Sequence, residues 1–261
     1  MKISLENKNA LVGGSTQGLG KAIAIQLAAC GASVTLLARN EDKLKGVLSE
    51  LSTACGQEHG YVVADFSDIE RYKEKLSAFF KTHTVDILVN NTNGPEAGGV
   101  LEKDLSDYQK AFDQLFQTVC FTTLEALHHM KSNNYGRIIN LSSVTVKEPL
   151  QHLVLSNTIR TALISWTKTL ATEVAVKNIT VNNILTGFFD TERINNIIRM
   201  QAQSQNIDFV QAKSNTIDQV PMKRLGTPAE FAYLVTFLAS DYASYLTGTS
   251  IPLDGGLLKT I

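Results

Sequence analysis

The sequence has almost no net charge. Its 24 Lys and Arg are offset by 25 Asp and Glu, a formal −1, which leaves no electrostatic footprint for nucleic acid or for an anionic membrane surface. It also lacks an apolar run long enough to span a bilayer. Its first strand-like segment follows Met1 too closely for a signal peptide. Cysteine is scarce: Cys30, Cys55 and Cys120 are odd in number, scattered and in no metal-ligand spacing. They read as reduced thiols of a cytoplasmic protein, not as a disulfide framework. The five histidines pair with no nearby cysteine or carboxylate, and the adjacent His128 and His129 point in different directions on a helix, so no metal site is expected. What remains, 44% apolar and 19% charged residues in a chain of 261, is the composition of a soluble globular protein with one large core.

What is present is organised around one turn, Ala10-Leu-Val-Gly-Gly-Ser-Thr-Gln-Gly-Leu-Gly20. It joins an apolar strand (Ala10 to Val12) to a helix whose buried face runs Leu19, Ile23, Leu27 and Cys30. Glycines at 14, 18 and 20 permit a tight turn, backbone close to a pyrophosphate, and helix-terminal N–H groups aimed at the anion. In this strand–turn–helix setting, Gly14, Ser15, Thr16, Gln17, Gly18, Leu19 and Gly20 are candidate dinucleotide contacts.

Further strands are predicted at Ser33–Ala38, Tyr61–Ala64, Asp86–Val89, Arg137–Leu141, Ile179–Leu185 and Ser250–Leu253. Helical patterns fill the gaps at Glu41–Leu51, Ile69–Lys81, Asp107–Met130, Thr158–Val176 and Pro228–Leu238. The alternation implies βαβ units and a mostly parallel sheet covered on both faces. No linker or repeat divides the chain, so residues 1–261 are expected to form one domain. Only the polar segment 192–221 breaks the rhythm. Two readings stand for it, a mobile substrate lid over the strand ends or a solvated helical excursion.

The second strand ends Leu37-Ala38-Arg39-Asn40. An acid selecting NAD is missing there, while Arg39 offers a guanidinium fork for a 2′-phosphate. NADP(H) is therefore expected in preference to NAD(H).

By the fourth and fifth strands the chain resembles the short-chain dehydrogenase/reductase family, and the match runs over its whole length. The matching pieces are GGSTQGLG at 13–20, Asp65, Val-Asn-Asn at 89–91, Ile-Ile-Asn-Leu-Ser-Ser at 138–143 and Thr-Gly-Phe-Phe-Asp-Thr at 186–191. Arg-Leu-Gly-Thr-Pro-Ala-Glu at 224–230 follows, and the ending at 246–256 is similar to that of bacterial 3-oxoacyl-(acyl-carrier-protein) reductases. The resemblance implies a Rossmann-type, doubly wound, three-layer α/β/α fold with a seven-stranded parallel sheet. It implies that Asp65 holds the adenine, with Asn40 and Phe66 beside that end, and that Asn91 and Thr92 lie along the cofactor. Gly187, Phe189 and Thr191 would hold the nicotinamide end. It also implies a homo-oligomer formed through helices 107–130 and 158–176, and a small-molecule or acyl-thioester carbonyl substrate.

The same resemblance exposes a departure. The family's catalytic set is Asn, Ser, Tyr and Lys. Its Ser falls on Ser143, but its Tyr falls on Ser156, its Lys on Arg160 and, counting from Tyr108, its Asn on Leu115. A phenol of pKa about 10, lowered by a neighbouring ammonium, is a competent general acid, whereas an aliphatic hydroxyl is far weaker. Arg160 keeps the charge and the ribose donors but not the capacity to pass on a proton. His152 is a candidate replacement acid or an idle loop histidine, and Glu148 is a second candidate. Ser143 and Ser156 together suit a hydroxyl clamp for a developing alkoxide, while Ser156 also suits the N-cap of the helix that follows. Three functions remain: an NADP(H)-dependent carbonyl reductase with an atypical proton donor, a catalytically impaired dinucleotide-binding sensor, scaffold or partner subunit, or an enzyme of another reaction type on this fold, for example one acting on an aldehyde, which no residue picks out.

Overall fold

In the computed structural model, which describes residues 2–260, the seven apolar segments form one all-parallel sheet. Strands β1 (Asn9–Gly13), β2 (Ser33–Ala38), β3 (Gly60–Val63), β4 (Ile87–Asn90), β5 (Gly136–Ser143), β6 (Ile179–Thr186) and β7 (Ser250–Leu253) stand in the order β3-β2-β1-β4-β5-β6-β7. The chain winds outward in both directions from β1 and β4, so a crevice opens beyond their carboxyl ends. The helices are α1 (Gly18–Ala29), α2 (Glu41–Leu48), α3 (Ile69–Phe80), α4 (Leu105–Phe112), α5 (Thr118–Asn133), α6 (Val154–Val174), α7 (Glu192–Gln205), α8 (Phe209–Gln219) and α9 (Pro228–Ala239). Among the described residues no helix is long and apolar enough to cross a membrane.

The strands are apolar on both faces because both faces are covered. Ala10, Val12, Ile87 and Val89 pack with Ile23 and Leu27 of α1 and Phe231 and Val235 of α9. Their neighbours Leu11, Leu88 and Ile138 point the other way, onto Tyr72 and Leu76 of α3, Leu127 of α5 and Leu170 of α6. One polar row crosses this sheet. Asn90, Asn140, Asn183 and Ser250 are register partners on β4, β5, β6 and β7. Asn90 donates to Asn140 (2.8 Å), Asn140 to Asn183 (3.0 Å) and Asn183 to Ser250 (3.4 Å). A one-residue slip would break every bond in the row. Asn140→Leu takes one partner from each buried amide beside it, Asn90 keeping Thr123 (3.1 Å) and Asn183 keeping Thr167 (3.2 Å) and Ser250, and is expected to cost about 1–3 kcal/mol in urea unfolding.

Two segments differ from the sequence expectation, and a third is now defined. The helix expected at 107–130 is two helices, α4 and α5, joined by a π-helical turn at Asp113–Gln117 that carries Leu115. Side-chain amides of Gln109 and Gln117 converge there on Asp113, and the Thr118 hydroxyl donates to the Gln114 carbonyl. The helix expected from Thr158 starts earlier, with Leu153 at its N-cap. A backbone bridge between Gly98 and Leu153 holds the chain there. Ser156 is thus in the first turn of α6 and is not its N-cap. The polar segment 192–221 is helical: α7 and α8 pack on each other through Ile194, Ile198, Ala202 and Ala212, with Leu225.

Candidate functional site

The glycine turn lies at the mouth of the β1–β4 crevice and is locked by contacts that side chains would destroy. Gly14 and Gly18 both have φ of 56°, in the left-handed region that favours glycine. A Cβ on Gly20 would lie 2.2 Å from the Gly14 carbonyl oxygen. The Asn91 amide braces the turn from β4, donating to the carbonyls of Gly13 (3.1 Å) and Gly14 (3.4 Å). The buried Ser15 hydroxyl accepts from Leu37 N–H at 3.0 Å, tying the turn to β2. The side chains of Ser15 and Asn91 therefore hold the cradle's shape. Gln17, the N-cap of α1, is extended and makes no side-chain cap, so the first-turn N–H groups of α1, with Leu19 at their side, face the crevice without a capping side chain. Opposite stands Thr191, whose Cγ2 would be 3.3 Å from a Cβ on Gly18. Bare glycine backbone, an uncapped helix N-terminus and a bounded gap fit a dinucleotide pyrophosphate.

At the β2 and β3 end, Asn40 caps α2 by accepting from Lys43 N–H (2.9 Å). Arg39 and Asp65 stand 3.9 Å apart and are both substantially exposed. Burial pushes the Asp65 carboxyl up, but hydrogen bonds from Ser67 and the Arg39 charge outweigh it and hold it below the usual carboxylate range. Phe66 is buried, its ring 5.3 Å from that of Tyr72. Phe189 is likewise buried, edge-on to Phe231 at 5.2 Å. Both rings belong to the core, which leaves only their backbone for a ligand. Gly187 donates to the Leu253 carbonyl (3.0 Å), and a Cβ there would meet Asp254 Cα at 2.5 Å. Thr191 accepts from Ile194 N–H (3.4 Å) as the N-cap of α7. Thr92 follows Asn91 in the loop after β4 and is half-buried.

The candidate catalytic residues lie beyond the ends of β4 and β5. Ser143 closes β5 opposite Thr186 of β6, its hydroxyl accepting from Thr145 N–H (3.2 Å). Arg160 donates from Nη1 to the Leu141 carbonyl (2.7 Å), which places its guanidinium at the same strand end. Ser156, four residues earlier on α6, shares the helix face of Arg160. Burial, and then the charge of Arg193, push the Arg160 guanidinium down to about 10, so it stays positive at neutral pH. Leu115 is buried with Ala111, Leu155 and Ile159, so the family's asparagine position is apolar here. His152 is exposed in the turn before α6, and its carbonyl accepts from Gly98 N–H (2.7 Å). Glu148 is committed elsewhere: its Oε1 accepts from Lys259 N–H (2.7 Å) and Thr260 N–H (3.0 Å), anchoring the chain's end.

Sequence reasoning missed Arg193. From the first turn of α7 its guanidinium reaches across to the loop after β4, with Nη1 3.5 Å from the Gly94 carbonyl and Nη2 3.3 Å from that of Pro95. Partial burial of the group lowers its pKa. A Cβ at Gly94 would lie 2.5 Å from Nη2, so the glycine displaced to position 94 makes room for it. The only sequence signal was that displaced glycine, and nothing in it names a partner 99 residues away.

Comparison with known proteins places this geometry. A family model described as enoyl-(acyl carrier protein) reductase matches residues 14–258. The chain is 31% identical to the NADPH-dependent reductase BacG of Bacillus subtilis (strain 168), over 98% of this chain and 100% of that protein. It is 32% identical to the 3-oxoacyl-(acyl-carrier-protein) reductase FabG of Aquifex aeolicus (strain VF5), again over 98% and 100%. The crystal structure of L-sorbose reductase from Gluconobacter frateurii, complexed with NADPH and L-sorbose, superposes with a TM-score of 0.92 at 29% identity, covering 100% of each chain. With the sheet order, the glycine cradle and the Ser143 strand end in place, the chain belongs to the short-chain dehydrogenase/reductase family of oxidoreductases.

Proposed function

We propose that the chain is an NADPH-dependent reductase of a carbonyl substrate that works without the family's phenolic acid. The observation that carries this is the preserved cradle: Gly14, Gly18 and Gly20 beneath the uncapped N-terminus of α1, in line with Ser143 and Arg160 at the end of β5. The backbone from Gly14 to Gly20 would hold the pyrophosphate, Arg39 the 2′-phosphate, Asp65 the adenine, and Arg160 and Thr191 the nicotinamide half. Bound there, NADPH supplies the hydride for the carbonyl carbon. Ser143 and Ser156 donate hydrogen bonds to the carbonyl oxygen as its charge grows, and the permanent charge of Arg160 beside them stabilises the alkoxide. The proton comes from His152 at the solvent side of the Ser156 turn. Relatives named as NADPH-dependent reductases support the cofactor and the direction of reaction. Residues 1–261 act as one cytoplasmic domain, with 192–221 as its substrate cover. Copies associate through the half-exposed Phe112, Phe116 and Trp166 of α4, the π-helical turn and α6.

The test is steady-state NADPH oxidation with oxo substrates. His152→Ala should lower kcat about tenfold or more with KM little changed, as loss of a general acid does. An unchanged kcat removes His152 and leaves solvent as the proton source. The second reading, a dinucleotide-binding protein without turnover, is favoured by the apolar packing of Leu115, which leaves no polar side chain at the family's relay position.

A further inference from the structure

Five arginines of this chain have a carboxylate within 4.0 Å: Arg39, Arg71, Arg137, Arg199 and Arg224. Among the described residues Arg160 and Arg193 have none, and these two converge at the same strand ends. The nearby acids are all engaged elsewhere. Asp190 faces Lys213 (3.9 Å), Glu192 binds Arg199 (2.7 Å) and Glu96 faces Lys103 (3.6 Å). Asp113 takes Gln109 and Gln117, and Glu148 takes the Lys259 and Thr260 amides. Two guanidiniums, anchored on the Leu141 carbonyl and on the Gly94 and Pro95 carbonyls and near enough that the charge of Arg193 acts on Arg160, thus have no protein anion to neutralise them. Such an arrangement is costly in the free protein and becomes favourable when a ligand brings the charge.

We propose that Arg193 forms a carboxylate-binding clamp backed by the charge of Arg160, so that the substrate class is an oxo acid carrying a carboxylate close to the carbonyl. This rests on the reductase reading above and specifies its substrate. The pyrophosphate is a poorer candidate for the same charge. Its cradle is at Gly14, Gly18 and Thr191, whereas Arg193 reaches past Thr191 to Gly94 and Pro95, on the side of Ser143 and Arg160. Gly94 is part of the device, because any side chain there would displace the guanidinium.

Two measurements on the full-length chain decide it. The first is calorimetric titration of oxamate, a carboxylate that cannot be reduced, into the protein saturated with NADPH, beside its uncharged relative oxamide. Oxamate should bind and oxamide should not, and Arg193→Met should weaken oxamate about tenfold or more, as loss of a charge-assisted pair does. Arg193→Lys should restore part of the affinity, and Gly94→Ala should copy part of the loss. The second is the ratio of kcat/KM for 2-, 3- and 4-oxo acids to that for their methyl esters, which should exceed about tenfold and collapse in Arg193→Met. Oxamate binding without turnover of any substrate would overturn the reductase reading and leave the clamp standing. Turnover with equal rates for acids and esters would overturn the clamp and leave the reductase. A preference for phosphorylated oxo compounds over carboxylates, or an effect of Arg193→Met on NADPH affinity alone, would also overturn it, assigning the charge to a phosphate of the substrate or of the cofactor.

Discussion

Arg39→Asp is expected to weaken NADPH binding about a hundredfold while leaving NADH binding nearly unchanged, or improving it. Arg39 follows β2 with its guanidinium largely in solvent, and its one ionic partner among the described residues, Asp65, is 3.9 Å away. Neither burial nor a tight pair competes for its donors. A 2′-phosphate placed beside β2 would receive two charge-assisted bonds, each worth about 1.5–3 kcal/mol before solvation losses. The aspartate would remove them and repel the phosphate, while offering a ribose hydroxyl the acceptor that Ala38 does not provide. Fluorescence titration with both cofactors reads the ratio directly. Equal losses for both would mean that Arg39 serves the fold or the adenine rather than the phosphate.

Gly20→Val should weaken cofactor binding about a hundredfold or more. At this position even a single Cβ falls 2.2 Å from the Gly14 carbonyl oxygen and 2.8 Å from Asn91 Nδ2. The turn would have to open and Asn91 would have to release the carbonyls it braces. Overpacking on this scale costs about 1–3 kcal/mol or more in stability, and NADPH affinity should fall by about a hundredfold or more because the cradle itself moves. Gly18→Ala separates the local effect from global unfolding. Its Cβ meets only the Thr191 methyl, at 3.3 Å, so it should fold normally, with a smaller loss of affinity arising from the strained φ. Circular dichroism on both variants checks the folded fraction. Undiminished NADPH binding by a folded Gly20→Val protein would show that the cradle is not the cofactor site.

The sheet was legible because its strands are continuous apolar runs bounded by helical periodicity, and burial on both faces enforces that pattern. Ser33–Ala38 and Ser250–Leu253 were placed to the residue. The π-helical turn at Asp113–Gln117 was not, since a change from one hydrogen-bond register to another leaves the apolar periodicity almost intact. The start of α6 was missed for a related reason. It is set by a tertiary bridge to Gly98, which no local capping signal announces. The glycine turn showed itself through spacing, but the tasks of Ser15 and Asn91 did not. A serine or asparagine in such a turn looks the same whether its side chain faces a ligand or ties β2 and β4 to the loop. Arg193 was invisible because its meaning depends on which way Asp190 and Glu192 turn.

The proposed reaction is reduction without a phenol. It is tested most directly by NADPH oxidation with the purified chain, over 3-oxoacyl thioesters, oxo acids, ketones and aldehydes, beside the double variant Ser156→Tyr/Arg160→Lys. Turnover by the native chain on at least one of these carbonyls is expected, with stoichiometric appearance of the alcohol. NADPH binding without turnover, and activity gained only by the double variant, would contradict it and identify a cofactor-binding protein in which proton delivery has been lost.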